Sequence, residues 1–244
     1  MGECAAQTPD VNRRWLKLQI ASPLMAFGAV AVDQVGPTWR WPGRSMLTGL
    51  LASALGWDYS DRAAHQALQD RMVCGAALVR DGAILTDVQN AQLQKNDRGW
   101  TTRGSPEGRG GNSYGAPHRR YRDFLVDAEL VAVLTLTLPD QAPTLDTLRD
   151  TLICPARPLF LGRKPCLPSR PLVAGTAADF LDAPTVYDAL KQASSAPCAR
   201  AFWPDGEGPI GTRAHDIADL RHWRTGLHGG SRTVWEGHLD EDAS

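Results

Sequence analysis

Residues 15–28 have the sequence WLKLQIASPLMAFG, and their pattern predicts how the fold begins. In the first six positions apolar residues alternate with the polar Lys17 and Gln19, which is the period-two pattern of a strand with a buried face. The strand is expected to end at Ser22-Pro23, because proline lacks the N–H that a central ladder needs. The pattern therefore predicts a strand over Trp15–Ile20 that begins a sheet.

Further elements follow from apolar spacing and turn residues. Helices are predicted over residues 45–55 with Ser45 as N-cap, about 61–70 after Ser60, 144–152 and about 186–193. Strand patterns occupy residues 72–80, 84–89, 121–126, 129–138, 199–203 and 233–236. Asp81-Gly82, between two of these strands, is a two-residue hairpin signal. This order predicts an α+β fold in which helices cover one face of an antiparallel sheet.

Charge is unevenly distributed along the chain. The net charge is −1, yet Gln89–Arg122 holds seven basic and two acidic residues, a balance of +5 that leaves −6 for the rest. Residues 91–117 in this segment are rich in glycine and show no periodic pattern. A loop of this length is usually functional or disordered. Its basic charge predicts a phosphate-binding surface, with a solvated loop as the plain alternative.

Motifs for catalysis and cofactors are absent from the sequence. There is no G-x-S-x-G, no Walker A loop, no H-E-x-x-H and no dinucleotide-binding G-x-G-x-x-G after a strand. Five cysteines without a C-x-x-C pair predict reduced thiols and no metal site. We therefore expect no cofactor. The polar N-terminus and the lack of an 18-residue apolar run predict a cytoplasmic protein without a membrane span.

Two basic segments are candidates for phosphate binding. Arg40 and Arg44 flank the predicted start of the first helix, where backbone N–H groups favour anions and arginine can grip phosphate oxygens. Trp39 and Trp41 alternate with them and could stack on unpaired bases or belong to the core. Arg163-Lys164 forms a second basic loop tip after a glycine.

One histidine is a candidate general base. His118 precedes Arg119-Arg120, and its neutral imidazole could take a proton from a ribose hydroxyl while the arginines stabilise a phosphorane. The alternative is a histidine that donates to a phosphate or to water. No second acid or base lies nearby in the sequence, so binding is favoured over cleavage.

Four segments in register resemble a known family. They are WLKLQIASPLMAFG (15–28), WRWPGRSMLTGLLASALG (39–56), YRDFLVDAELVAVL (121–134) and RPLFLGRKPCLPSRPL (157–172). Together they resemble the CasD subunits of type I-E CRISPR Cascade complexes, within the RAMP superfamily. The resemblance covers most of residues 15–172.

This resemblance implies both an architecture and a role. The implied fold is α+β: an RRM-like (ferredoxin-like) domain over residues 15–152 with a basic thumb insertion at 91–117, and a smaller β-rich part over 153–238. Outside the resemblance, the sequence predicts a flexible leader (1–14) and a solvated acidic tail (239–244). Members of the family are not enzymes; they hold the five-prime handle of the crRNA and cap the backbone filament in antiviral defence. The implied partners are that RNA, the backbone crescent subunit and the large subunit, with target DNA contacted only indirectly and no membrane.

The expected RNA-binding residues come from two sources. The family motifs carry RNA contact over to Phe27, Gly28, Arg40, Arg44, Ser45, Arg163 and Lys164. Charge and loop location add Lys95, Arg98, Trp100, Arg103, His118, Arg119 and Arg120. The sequence departs from the family at Ser22, where glycine is usual, and at Phe27, where tryptophan is usual.

Two other functions stay open at this point. A related branch, type I-C, cleaves precursor RNA with a Tyr, Lys and His set. Here Pro117 precedes His118 in place of lysine, and residues 45–55 contain no tyrosine, so the set is incomplete. The alternatives are a metal-independent endoribonuclease with His118 as general base, and a generic RRM-like RNA-binding module.

Overall fold

The structure is a computed structural model that describes residues 12–91, 99–100, 106–107 and 118–239. The helices in these ranges are α1 (Arg44–Ala54), α2 (Arg62–Arg71), α3 (Leu145–Ile153) and α4 (Val186–Ala193). The strands are β1 (Arg13–Ala21), β2 (Leu24–Met25), β3 (Val35–Gly36), β4 (Met72–Arg80), β5 (Ala83–Ala91), β6 (Gly99–Trp100), β7 (Pro106–Glu107), β8 (His118–Val126), β9 (Glu129–Leu136), β10 (Phe180–Ala183), β11 (Arg200–Pro204), β12 (Arg213–His222) and β13 (Leu227–His238). Most of the predicted leader, thumb and acidic tail lies outside the described residues.

A seven-stranded antiparallel sheet dominates the described part of the chain, with the order β10-β1-β9-β4-β11-β13-β12. β1 pairs with β9 from Leu16↔Leu134 to Ala21↔Glu129, and with β10 on its other edge. The strand predicted over Trp15–Ile20 is confirmed, with additional residues at both ends. The fold is thus mixed α and β around one large antiparallel sheet.

Both faces of this sheet are buried by helices. On one face α1, α2 and α3 contribute Leu51, Leu68 and Leu148 to the main core. On the other face α4 packs through Leu190 beside Trp15. The expectation that helices cover a single face is therefore wrong, because α4 fills the second. The part of the sheet under α4 is closed to stacking of RNA bases.

β8 is the centre of a second sheet. It pairs with β5 along its whole length on one edge, and with β2 (antiparallel) and β3 (parallel) on the other. The strands on either side of Asp81-Gly82 belong to different sheets, since β4 pairs with β9 and β11 whereas β5 pairs with β8. The hairpin predicted at this turn is wrong. Turn residues set the chain direction, but the buried face of each strand selects its partner.

The chain crosses between the two sheets at two turns that touch. Gly82 has φ +65° and Asp127, between β8 and β9, has φ +54°. A Cβ at Gly82 would lie 2.3 Å from the Val126 carbonyl oxygen and 2.8 Å from the Cβ of Ala128. Only glycine satisfies both the left-handed backbone and the close approach.

Helix starts differ in how they are capped. The side chains of Thr144 and Thr185 accept from N–H groups in the first turns of α3 and α4, and the bounds predicted for α4 are confirmed. The predicted N-cap at Ser45 is wrong. α1 begins one residue earlier after Gly43, whose position has no side-chain cap. In place of a side-chain cap, the Arg44 N–H donates to the carboxylate of Asp219 in β12. The sequence pattern did not predict β12.

Replacing Gly82 by alanine tests the contact between the two turns. We expect Gly82→Ala to lower the free energy of unfolding by about 2–5 kcal/mol, because the Cβ adds overpacking to left-handed strain. Gly206→Ala is the matched control: Gly206 has φ +79° and nothing within 4 Å of its Cβ position. Gly206→Ala should lower the free energy of unfolding by only about 1–2 kcal/mol, the cost of a left-handed backbone at alanine. Urea unfolding of both variants measures the difference, and equal losses would contradict the packed turns.

Candidate nucleic-acid interface

Two adjoining cavities lie along the start of α1, and we call them together the α1 groove. The first has a volume of about 390 Å³ and the second about 500 Å³. Both are lined by Phe27, Gly28, Ser45 and Arg221. The first is completed by Ala29, Trp39, Gly43, Ala218, Asp219, Leu220, Gly226, Leu227 and His228, and the second by Ala26, Met46, Gly49, Leu50, Ser53, Phe160, Gly162, Arg163 and Trp223.

The groove brings together residues that are far apart in the sequence. Phe27 and Gly28 follow β2, Ser45 lies in the first turn of α1, and Arg163 lies in the segment between α3 and β10. All four were predicted as RNA contacts. The Phe27 ring is buried in the core, and its N–H donates to Thr38 Oγ1 at 2.9 Å. The floor of the groove is therefore mainly backbone at this point.

Gly28 leaves the groove open. Its φ is +78°, and no atom lies within 4 Å of the position that a Cβ would take. Its carbonyl accepts from the Trp39 N–H at 2.9 Å, which ties the end of β2 to the segment before α1. A ligand can approach the backbone closely here.

The start of α1 rests against an internal carboxylate. The Arg44 N–H donates to Asp219 Oδ2 at 2.8 Å, and Arg232 donates to both oxygens of Asp219 at 2.8 and 2.7 Å. A Cβ on Gly43 would lie 2.9 Å from the Asp219 Cβ, so glycine permits this approach. The anion site expected at the helix start is thus filled at Arg44 by the chain's own carboxylate.

The Arg44 side chain turns towards the core. It lies beside the buried thiol of Cys74. Burial raises the pKa of this thiol, and the positive charges of Arg232 and Arg44 oppose that rise. Arg44 Nε is buried and has no hydrogen-bond partner among the described residues. Arg44 therefore lies behind the groove wall and is not among the residues that line the two cavities.

Two further predicted arginines are bound to protein acceptors. Arg40 Nη1 lies 3.0 Å from Asp81 Oδ1, and Asp81 also pairs with Arg200. Arg163 donates to the carbonyl of Asp123 at 3.0 Å and to that of Gly36 at 3.1 Å, and burial lowers its pKa. Arg163 therefore braces β8 against β3 at the edge of the groove. Its neighbour Lys164 is exposed.

β5 and β8 form a ribbon that leads to the predicted thumb. His118, Arg119 and Arg120 are the first three residues of β8 and pair with Ala91, Asn90 and Gln89 at the end of β5. Arg119 is exposed, and its Nε donates to Asn90 Oδ1 at 3.4 Å. Because side chains alternate along a strand, Arg119 and Arg120 are on opposite faces of the ribbon. Trp100 lies in β6, paired with Pro106, whereas Lys95, Arg98 and Arg103 are outside the described residues.

The two tryptophans before α1 have different environments. The Trp41 ring is 5% exposed and stacks on Phe202 with ring centroids 4.0 Å apart, so it belongs to the core. Trp39 is partly buried, lies 5.0 Å from Trp41 between ring centroids, and lines the first cavity. Of this pair, Trp39 is the one that a base can reach.

Sequence reasoning missed the residues that the β12–β13 hairpin adds to the groove. These are Arg221, Trp223 and His228. The available signal was the basic and aromatic run RHWR at 221–224, followed by HGG at 228–230. Its approach to α1 depends on contacts with distant parts of the chain, which the local pattern does not contain.

The described ranges were also searched for disulfides, metal sites and membrane-spanning helices. Cys74, Cys154, Cys166 and Cys198 are free thiols there. No group of three or more His, Cys, Asp or Glu side chains in those ranges could hold a metal ion. None of the helices there is long and apolar enough to cross a membrane.

Comparison with known proteins gives a matching family model and a relative. The family model described as CRISPR-associated protein (Cas_Cas5) matches residues 15–235. CRISPR system Cascade subunit CasD of Escherichia coli (strain K12) is 29% identical over 164 residues, which cover 67% of this chain and 71% of that protein.

Two solved structures are similar in fold. One, titled CRISPR RNA-guided surveillance complex, has a TM-score of 0.65 at 19% identity, over 92% of this chain and 89% of that one. The other, titled Crystal structure of Cas protein, has a TM-score of 0.54 at 22% identity, over 93% and 96%. At these identities both likenesses concern the fold.

Removing the Asp219 carboxylate tests its role at the start of α1. Its side chain is 4% exposed, and we expect Asp219→Ala to lower the free energy of unfolding by about 3–5 kcal/mol, because Arg232 is left as a buried unpaired charge. Asp146→Ala breaks an exposed pair with Arg14 and should lose no more than about 1 kcal/mol. Urea unfolding compares the two variants. Equal small losses would show that Asp219 does not secure the hairpin.

Proposed function

The chain belongs to the Cas5 family of CRISPR-associated proteins, and we propose that it is a non-catalytic RNA-binding subunit of a type I-E CRISPR surveillance (Cascade) complex. In this role it holds the five-prime handle of the crRNA and caps the backbone filament, in antiviral defence and in the cytoplasm. The observation that carries the proposal is the convergence of Phe27, Gly28, Ser45 and Arg163 on one groove.

Strand order supports the RRM-like part of the proposal. In chain order the elements β1, α1, β4, β9, α3 and β10 give strand-helix-strand-strand-helix-strand, and the four strands lie in the spatial order β10-β1-β9-β4. Ferredoxin-like folds, with their split βαβ arrangement, have this same order, which supports an RRM-like domain. The β5–β8 ribbon is then an insertion between the second and third strands. The fourth strand comes from beyond the predicted boundary at residue 152.

Exposed positive charge outside the two cavities supports further RNA contact. Lys164 and Arg119 are exposed, and Arg120 is partly so. We propose that these side chains bind backbone phosphates, which attract Lys and Arg irrespective of sequence. Lys95, Arg98, Arg103 and Trp100 remain predicted contacts of the thumb. Arg40 and Arg44 would act by holding the groove wall in place.

The ribbon also has features of a protein contact. Val88, Tyr121 and Val35 are paired in register across three strands, and Val88 and Val35 are 49% and 43% exposed. Exposed apolar rows of this kind are typical of interaction surfaces. We propose that the ribbon contacts the neighbouring backbone subunit, with the large subunit as a further partner and target DNA reached only indirectly.

The proposal does not include RNA cleavage. α1 contains no tyrosine, and Pro117 precedes His118, so the tyrosine and lysine expected of a cleaving relative are missing at these positions. Endoribonuclease activity with His118 as general base is the competing function. An endoribonuclease would cleave the bound RNA, whereas a binding subunit would leave it intact. The state of the RNA after binding therefore distinguishes the two functions.

Labelled repeat RNA incubated with the full chain in EDTA, then run on native and denaturing gels, tests the proposed function. We expect a shifted but intact RNA whose affinity falls with salt, because bound phosphates release counterions. Changing both Arg119 and Arg120 to Ala should weaken binding by about tenfold or more. The salt slope should fall by about 0.7 for each phosphate that the variant no longer neutralises.

Arg149→Ala is the control for this measurement. Arg149 pairs with Asp150 on α3 and lines neither cavity, so its loss should leave RNA affinity within about twofold. Cleaved RNA, with cleavage abolished by His118→Ala, would replace the binding function by the endoribonuclease. An unshifted RNA would contradict RNA binding by this chain.

A further inference from the structure

Arg221 differs from the other arginine in the α1 groove. Arg163 donates two N–H groups to backbone carbonyls, whereas the Nε of Arg221 has no hydrogen-bond partner among the described residues. Its Nε is buried, and its guanidinium carbon lies 5.0 Å from the centre of the Trp223 ring. Arg221 lines both cavities. A positive charge of this kind, partly desolvated and without an acid partner, favours an anionic ligand.

The backbone of Arg221 is held in place by α2. Gln69 is buried, accepts from the Arg221 N–H at 3.1 Å and donates to the Arg221 carbonyl at 2.9 Å. The same side chain accepts from Trp223 Nε1 at 3.0 Å, and Gln66 accepts from the Trp223 N–H at 3.0 Å. Four hydrogen bonds therefore fix the turn that presents Arg221, which is how a preorganised binding residue is supported.

Acidic groups in the groove do not cancel this charge. Of the residues that line the two cavities, Asp219 is the one carboxylate. Both of its oxygens are engaged by Arg232, and one also by the Arg44 N–H. Asp219 is thus already neutralised, and Arg221 remains the uncompensated charge where the cavities meet.

Each cavity has its own aromatic walls. Trp39 and His228 line the first, and Phe160 and Trp223 line the second. Both volumes fall within the range of small-molecule binding sites. Unpaired bases stack on such side chains, at about 1–3 kcal/mol per base. The cavities adjoin along the residues that they share, among them Ser45 and Arg221.

We propose that the α1 groove holds two consecutive nucleotides of single-stranded RNA, one base in each cavity, with the phosphate between them bound by Arg221 and the Ser45 hydroxyl. The inference rests on the proposed RNA-binding function and adds to it the place, the number of nucleotides and the residue that binds the linking phosphate. It makes the C-terminal hairpin, through Arg221, part of the RNA site. Bases must be unpaired to enter the cavities, so duplex RNA is excluded.

Arg221→Ala, compared with Arg224→Ala, tests the phosphate contact. Both arginines lie at the tip of the same hairpin, and Arg224 is exposed and lines neither cavity. Binding of fluorescein-labelled single-stranded repeat RNA to the full chain is measured by anisotropy. We expect Arg221→Ala to raise Kd about 10- to 100-fold and to lower the salt slope by about 0.7. Arg224→Ala should change Kd by less than about twofold.

Equal effects of the two substitutions would overturn the assignment of Arg221. Thermal unfolding of both variants serves as the folding control. If Arg221→Ala does not fold, Arg221→Lys is measured in its place. Lysine keeps the charge and most of the salt slope but cannot grip phosphate with two parallel N–H groups as arginine can, so unchanged affinity would contradict the proposal.

Crosslinking separates this inference from the proposed function. Repeat RNA carrying 4-thiouridine is irradiated on the wild-type protein, and the crosslinked peptides are mapped. Crosslinks to the peptides of Trp39 or His228 and of Phe160 or Trp223 support the dinucleotide site. Tight binding with crosslinks confined to residues 118–126 would overturn the site and leave RNA binding intact. The absence of RNA binding would overturn both.

Discussion

The buried carboxylate of Asp219 holds the C-terminal hairpin against the first turn of α1, and the shape of the groove depends on it. Its oxygens accept from Arg232 and from the Arg44 N–H, an approach that the missing side chain of Gly43 permits. Removing one member of a buried ion pair is strongly destabilising, because the other charge is left uncompensated. This contact acts together with the hydrogen bonds between α2 and the end of β12, in which Gln69 holds Arg221 and Gln66 holds Trp223. Together they place Arg221 where it lines the groove.

The second constraint is the pair of touching turns at Gly82 and Asp127. Through them the chain leaves the large sheet, forms the β5–β8 ribbon and returns to the same sheet. The ribbon is thereby anchored at its base, where Arg163 donates to the carbonyls of Asp123 and Gly36. The same arginine lines the groove, so the base of the ribbon and the groove are fixed relative to each other.

Local signals predicted those parts of the structure that local interactions decide. The alternation over Trp15–Ile20 predicted the strand β1, and the apolar spacing over about 186–193 predicted α4. β12 was missed because its inward positions include Asp219, a charge that only a distant helix start and Arg232 compensate. The hairpin at Asp81-Gly82 was predicted wrongly, since partner choice among strands is non-local.

The sequence predicted the groove residues that come from the first 172 residues but not those from the β12–β13 hairpin. Phe27, Gly28, Ser45 and Arg163 came from segments that resemble a family, and these line the groove. Arg221 was not found, because its position depends on Gln69, which lies 152 residues earlier in the chain.

Hydrogen–deuterium exchange of the full chain with and without repeat RNA tests whether the α1 groove is the RNA site. We expect RNA to protect residues 26–29, 43–46 and 219–228. Protection confined to the α4 face at 186–193 would show that RNA binds elsewhere.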